Sequence, residues 1–278
     1  MFSLFLSIVA SAFIAVIMRL SSHRVRSPLG MLFANYLVCT ALGALYTDFQ
    51  IFLPQADKYF ITLVLGLING GIYLGSFMLY QHSTRTKGIV LSSIFMKLGL
   101  LVPMVMSILV FHEMPSTVQL LGFGLAVAAI LLINYQKGSQ RGSLGFGLLL
   151  LLLLGGCGDA MSKVFQVLGS EALSNQFLLF TYGTAFLLCT TVMLLRHEKP
   201  GKREFLYGAL IGFPNFFSTK FMLNALIDVP AVVAYPTFSV STMLLVTLAG
   251  TVFFREKLSK NQWIALAIIL VALALLNM

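Results

Sequence analysis

Phe111-His112-Glu113-Met114-Pro115-Ser116-Thr117-Val118-Gln119 and Phe254-Arg255-Glu256-Lys257-Leu258-Ser259-Lys260-Asn261-Gln262 are one junction written twice, 143 residues apart. Phe, Glu, Ser and Gln recur in register. The match extends without a gap from Gly88–Tyr135 onto Ala231–Met278, with ten identities in forty-eight positions. Leu and Ala coincide by chance in any two apolar helices, but polar residues falling in register do not. The chain therefore divides into two related halves, 1–135 and 136–278.

Each junction joins two apolar runs, and further runs extend on both sides. The first half carries Phe2–Leu20, Leu29–Thr47, Tyr59–Tyr80, Gly88–Phe111 and Thr117–Tyr135. The second carries Ser143–Leu168, Ala172–Leu195, Glu204–Leu226, Ala231–Phe254 and Asn261–Met278. At 18 to 26 residues each, all ten are long enough to cross about 30 Å of hydrocarbon. Composition agrees: 59% of the 278 residues are hydrophobic and 10% charged, against about 25% charged in a soluble domain. The expected fold is an all-α membrane protein of ten transmembrane helices in one transmembrane domain. Because five is odd, the second half enters the membrane upside down. The halves then form an inverted repeat around a central cavity, which is a transporter signature.

The net charge of +9 is spread over short turns instead of one face, which argues against a nucleic-acid partner. Numbering the nine connections in order exposes a bias. The odd ones carry fourteen basic residues: Arg19, Arg24, Arg26, Arg85, Lys87, Lys137, Arg141, Arg196, Lys199, Lys202, Arg203, Arg255, Lys257 and Lys260. The even ones carry Lys58 alone, beside Asp48, Asp57, Glu113, Glu171 and Asp228. The positive-inside rule makes the odd connections cytoplasmic and both termini external, in a multi-pass protein of the bacterial inner membrane. No basic residue precedes the first run, so it reads as a retained helix and not as a cleaved signal. Cys39, Cys157 and Cys189 lie inside apolar runs without metal-ligand spacing and read as packing residues.

The two junctions, the ten runs and the five-plus-five repeat together resemble drug/metabolite transporters of the EamA type, and the resemblance covers the whole chain. It implies a basket-like bundle in which helices 1, 3, 4, 6, 8 and 9 surround the cavity and helices 5 and 10 lie at the periphery. It also implies transport of small metabolites, often export. One feature departs from it: ten-helix members are expected to have cytoplasmic termini, whereas the charge bias here places them outside.

Four ionisable residues fall inside spans: Lys97 in the fourth, Asp159 and Lys163 in the sixth, Lys220 in the eighth. A central Lys or Asp costs about 2.5 to 3.5 kcal/mol to insert, so such residues face a cavity or a partner. Lys97 is too deep to snorkel and reads either as a substrate or coupling residue or as half of an ion pair with Asp159. Asp159 and Lys163 are four apart and share a helical face. Lys163 and Lys220 lie nearer helix ends, where snorkelling to the interface is the alternative to lining the cavity. Three positive charges against one negative favour an anionic or zwitterionic substrate. Neutral candidates are Asn69 and Tyr73, again four apart, with Ser92, Ser93, Asn215 and Tyr235; the repeat offset aligns Tyr235 with Ser92. Each serves equally well as an interhelical hydrogen-bonding group. Gly66 with Gly70, and Gly71 with Gly75, have the spacing that admits a neighbouring helix. Pro103, Pro214 and Pro236 are possible hinges.

Gly156-Cys157-Gly158-Asp159 matches the Gly-x-Gly-Asp string of intramembrane aspartyl proteases, and an enzyme is the competing reading. That chemistry needs two carboxylates sharing one proton, and no second acid lies within a span. No zinc-protease, phosphate-loop or Ser-His-Asp pattern is present, so no cofactor or metal is expected. A channel or structural membrane subunit is the third reading.

Overall fold

The computed structural model describes residues 1–21, 24–87, 92, 95–96, 98–99, 101–133, 146–254 and 260–278. Among them lie ten α-helices and no β-strand: α1 Phe2–Ser21, α2 Pro28–Tyr46, α3 Tyr59–Lys87, α4 Leu101–Leu109, α5 Thr117–Ile133, α6 Phe146–Leu168, α7 Ser174–Leu195, α8 Lys202–Asp228, α9 Ala231–Phe254 and α10 Lys260–Leu276. A 3-10 turn, Glu171–Leu173, leads into α7. All ten fall on the expected runs. Six of them, α1, α2, α3, α6, α7 and α9, contain stretches both long and apolar enough to cross a membrane. Helices α5 and α10 are apolar but shorter, and α8 carries Lys202, Arg203, Glu204, Lys220 and Asp228.

One boundary differs from expectation. α3 runs seven residues beyond Tyr80, to Lys87, because Gln81-His82-Ser83-Thr84-Arg85-Thr86 offers neither Gly nor Pro to stop it. Its 29 residues span about 44 Å, so its last turns extend past a hydrocarbon core of about 30 Å. Other ends are set by caps. Ser27 caps α2 by accepting from the Gly30 N–H, with Pro28 as the first helical residue. At α5, the Gln119 N–H donates to Ser116 Oγ at 3.2 Å while the Ser116 N–H donates to Gln119 Oε1 at 3.0 Å. This is a capping box built from the repeated Ser-x-x-Gln. The second copy, Ser259 and Gln262, lies in a stretch whose side chains are outside the description.

The helices cluster into two compact units: Met1–Leu74 with Met161–Ile227, and Gly75–Ala160 with Asp228–Met278. The boundaries fall inside α3 and α6, so this grouping by contact is a different division from the sequence halves.

In the first unit, glycines let backbones meet. A Cβ at Gly66 would lie 2.5 Å from Phe180 Cβ, and one at Gly70 would strike the Thr181 carbonyl and lie 2.6 Å from Thr184 Cβ, so α3 and α7 touch closely. Gly208 and Gly212 do the same for α8 against Met31, Asn35 and Val38 of α2. The expectation for Gly71 and Gly75 is not met: a Cβ at either would find nothing within 4 Å among the described residues. They lie one and five positions past Gly70, off the strip that meets α7.

In the second unit, α5 and α10 share a dry seam of Ala126, Ala129, Ile269 and Ala272, each 0% exposed, joined by Val240 of α9. Gly122 sits against Leu275 and Ala272. Ala129 and Ala272 are repeat partners by sequence, and small residues at the contact are what membrane helices use where lipid removes the hydrophobic driving force.

Candidate substrate-binding site

A polar layer crosses the first unit through five helices. Ser7 of α1 and Ser218 of α8 exchange bonds, each hydroxyl donating to the other's carbonyl at 2.7 and 3.1 Å. Asn215 Nδ2 of α8 donates to Asn35 Oδ1 of α2 at 3.2 Å, and Cys39 Sγ donates to the Gly212 carbonyl at 3.3 Å. Tyr182 of α7 is fully buried, its hydroxyl 2.7 Å from Thr219 Oγ1 and 3.3 Å from the Asn215 carbonyl. Around it stand the rings of Tyr36 and Tyr73, with centroids 6.4 and 6.0 Å away. Next to Tyr182 in the chain, Thr181 Oγ1 accepts from Asn69 Nδ2 at 3.4 Å, which leaves Asn69 Oδ1 buried without a partner among the described residues. Each polar group sits mid-span, where no water competes, so it must find another helix.

Of the predicted residues, Asn69, Tyr73 and Asn215 therefore meet around Tyr182. Lys220, on the same α8, takes another partner: its ammonium lies 3.3 Å from the centroid of the Tyr46 ring, a cation–π contact. Phe216 stacks on that ring at 5.6 Å, and Phe217 meets it edge-on at 6.0 Å. Lys163, 8% exposed, donates to Gln166 Oε1 at 2.8 Å. Gln166 in turn lines a cavity of about 70 Å³ with Phe165, Glu171, Ser174, Leu223 and Ile227, room for a few waters. Lys58, the lone basic residue of the even connections, donates to the Gly169 carbonyl at 3.1 Å, just beyond the C-terminus of α6 where the helix dipole favours a cation.

In the second unit the Tyr235 hydroxyl donates to the Asp159 main-chain carbonyl at 2.7 Å, tying α9 to α6, while the Asp159 side chain is exposed. Ser92 is fully buried. Lys97 and Ser93 lie outside the described residues. A Cβ at Gly156 would collide with the Gly99 carbonyl and lie 2.5 Å from Val102 Cβ, so the Gly-Cys-Gly-Asp string has a packing cause. The junction glutamate also has a role: Glu113 Oε2 accepts from the Val232 N–H at 3.1 Å, placing a carboxylate at the positive end of α9.

Reasoning from the resemblance passes over Asn35, Tyr36, Thr181 and Tyr182, since α2 and α7 are outside the helix set it assigns to the cavity. The signal was available, because each is a polar side chain in the middle of an apolar run.

The family model for EamA-like transporters matches the chain twice, over residues 1–135 and 145–278. The chain belongs to the EamA-like transporter family. As a member it is an integral, multi-pass membrane protein whose family moves small molecules across membranes. An uncharacterized protein of Haemophilus influenzae is 23% identical over 226 residues, spanning 79% of this chain and 75% of that one. A protein of known crystal structure superimposes with a TM-score of 0.76 at 15% identity, over 99% of this chain and 94% of that one, a likeness of fold alone.

Proposed function

We propose that this protein is a secondary transporter that moves a small anionic or zwitterionic metabolite across the bacterial inner membrane by alternating access. The observation that carries this reading is the double family match, one copy on each half of a chain whose halves also match each other at their junctions. Five helices per half invert the second copy, and an inverted pair opens to either side by exchanging the conformations of its halves. No sequence feature supports a channel equally. The protease reading requires a second intramembrane carboxylate that the spans lack.

Lys97, in the fourth span, is the proposed recognition or coupling residue, and Asp159, in the sixth, is proposed as the carboxylate that partners Lys97 or Lys163. Asn69, Tyr73, Ser93, Asn215 and Tyr235 are proposed as neutral contacts, with Lys163 and Lys220 as secondary cations. Asn69 Oδ1, buried and without a partner among the described residues, suits a donor group of the substrate.

The test is saturable uptake or exchange in proteoliposomes, using carboxylate, phosphate, amino-acid and nucleobase metabolites first ranked by ligand stabilisation. Lys97→Ala and Lys97→Gln, confirmed as folded, are expected to lose transport, because a hydrogen-bond donor without charge does not replace the ammonium. Full transport by folded Lys97→Ala would make this lysine structural. Orientation is tested by Lys199→Cys and Asp57→Cys: an impermeant thiol reagent added outside should label only the second.

A further inference from the structure

At the end of α8 that emerges into the seventh connection, an open groove of about 610 Å³ is lined by Pro200, Gly201, Lys202, Phe205, Leu206 and Ala209. We infer that this groove binds one anionic phospholipid, its acyl chain along α8 and its phosphate against Lys202 and its basic neighbours. The lower part is apolar: Phe205 and Leu206 are 45% and 58% exposed, and the exposed face continues through Leu210 and Phe213. From Phe205 to Phe213 this stripe is about 12 Å long and runs along the helix in the direction a lipid chain takes.

The rim carries net positive charge: Lys199, Lys202 and Arg203 outnumber Glu198 and Glu204, and although Glu204 Oε2 stands close to Gly201, both acids hold hydrogen bonds to the neighbouring α2 start. Glu198 Oε2 accepts from Ser27 Oγ at 2.6 Å and Glu204 Oε1 from the Arg26 N–H at 2.8 Å, both engaged at the start of α2. Lys199, Lys202 and Arg203 are left exposed around the groove. Arg24 is held beside them by donating to the Tyr207 hydroxyl at 2.9 Å. Depth agrees as well: α8, at 27 residues, is about 40 Å long, so with a hydrocarbon core of about 30 Å its first turns stand at headgroup level. A soluble anion would use the rim and leave the apolar floor to water. A zwitterionic lipid would use the floor and set its own cation against the rim. Only an anionic lipid complements both.

The experiment measures lipid retained by purified wild-type protein after exchange into detergent with phosphatidylglycerol or phosphatidylcholine, by native mass spectrometry, with glycerol 3-phosphate as the headgroup alone. One phosphatidylglycerol per chain should be retained at least tenfold over phosphatidylcholine, and glycerol 3-phosphate should not compete. The triple variant Lys199→Gln/Lys202→Gln/Arg203→Gln should lose roughly fivefold per charge removed, while Lys137→Gln/Arg141→Gln, on another odd connection, should lose nothing. Ala209→Trp fills the floor with all charges intact and should also lose the bound lipid. Equal retention of the two lipids, equal loss in the two charge variants, unchanged binding by Ala209→Trp, or competition by glycerol 3-phosphate would each overturn the inference. The triple variant changes only exposed side chains and Ala209→Trp a partly buried one, so both are checked for a single sharp elution peak.

Discussion

Two sets of helix contacts, one in each unit, are held by different means. In the first, α2, α3, α7 and α8 approach through Gly66, Gly70, Gly208 and Gly212 and then exchange side-chain hydrogen bonds: Asn35 with Asn215, Asn69 with Thr181, Tyr182 with Thr219. In the second, the described part of the α5–α10 seam is closed by the apolar residues Ala126, Ala129, Ile269 and Ala272. Lipid supplies no hydrophobic gain for helix association, so each pair must be held by close packing, hydrogen bonding, or both. A seam meant only to stay closed needs small apolar residues, whereas the first unit carries polar groups mid-membrane at a cost that packing alone does not require.

The largest effect that bears on this contrast compares two glycines of α3. Gly70→Ala puts a methyl group against the Thr181 carbonyl and Thr184 Cβ, both part of a buried interface that cannot easily withdraw. A loss of about 1 to 3 kcal/mol is expected, seen as a lower thermal midpoint in detergent. Gly75→Ala meets nothing within 4 Å among the described residues and should be neutral or stabilising by up to about 1 kcal/mol through helix propensity. Equal destabilisation at both positions would remove the argument that α3 is seated on α7 through one glycine strip.

A smaller effect separates a structural hydroxyl from a functional one. Tyr182→Phe deletes the bond to Thr219 and Tyr235→Phe the bond to the Asp159 carbonyl, each worth about 0.6 kcal/mol and at most about 1.7 in a membrane. Thermal midpoints of the two variants should therefore fall by similar, small amounts. Transport should not follow suit: Tyr235, repeat partner of Ser92, is proposed to touch substrate, and its variant should lose at least tenfold in uptake while Tyr182→Phe keeps most of it. Parallel losses in both would assign Tyr235 to packing alone.

The number and type of the helices were legible because bilayer thickness fixes span length and apolar runs are unmistakable at 59% hydrophobic content. Where α3 ends was not, since a polar helix continuing into water looks like a turn when only hydrophobicity is read. The site was legible in part. Asn69, Tyr73 and Asn215 could be picked out as polar residues within spans, yet their meeting point, Tyr182, is a property of how α7 packs against α3 and α8. The same holds for Lys220: the sequence leaves it between the cavity and the interface, and only the packed helices reveal that the Tyr46 ring takes it. Periodicity says which face a residue occupies and not what stands opposite.

The smallest expected effect concerns the junction that reveals the repeat, where one carboxylate and one carboxamide do different work. Gln119→Leu removes half of the capping box at α5 and leaves the Ser116 N–H at an exposed helix start, where water replaces the lost acceptor. Its cost should be about 0.5 kcal/mol, within the range of a single exposed cap. Glu113→Gln keeps an oxygen for the Val232 N–H but removes the negative charge from the N-terminus of α9, a half-buried position where the dipole is less screened than at a free surface. That substitution should cost about 0.3 to 1 kcal/mol. Glu113→Ala, which removes charge and acceptor together, should cost more than Glu113→Gln. If the Gln and Ala variants unfold at the same temperature, the carboxylate acts through its charge and the bond to Val232 adds nothing. If Gln matches the wild type, the bond suffices, and the glutamate at this junction is there for a purpose other than holding α9.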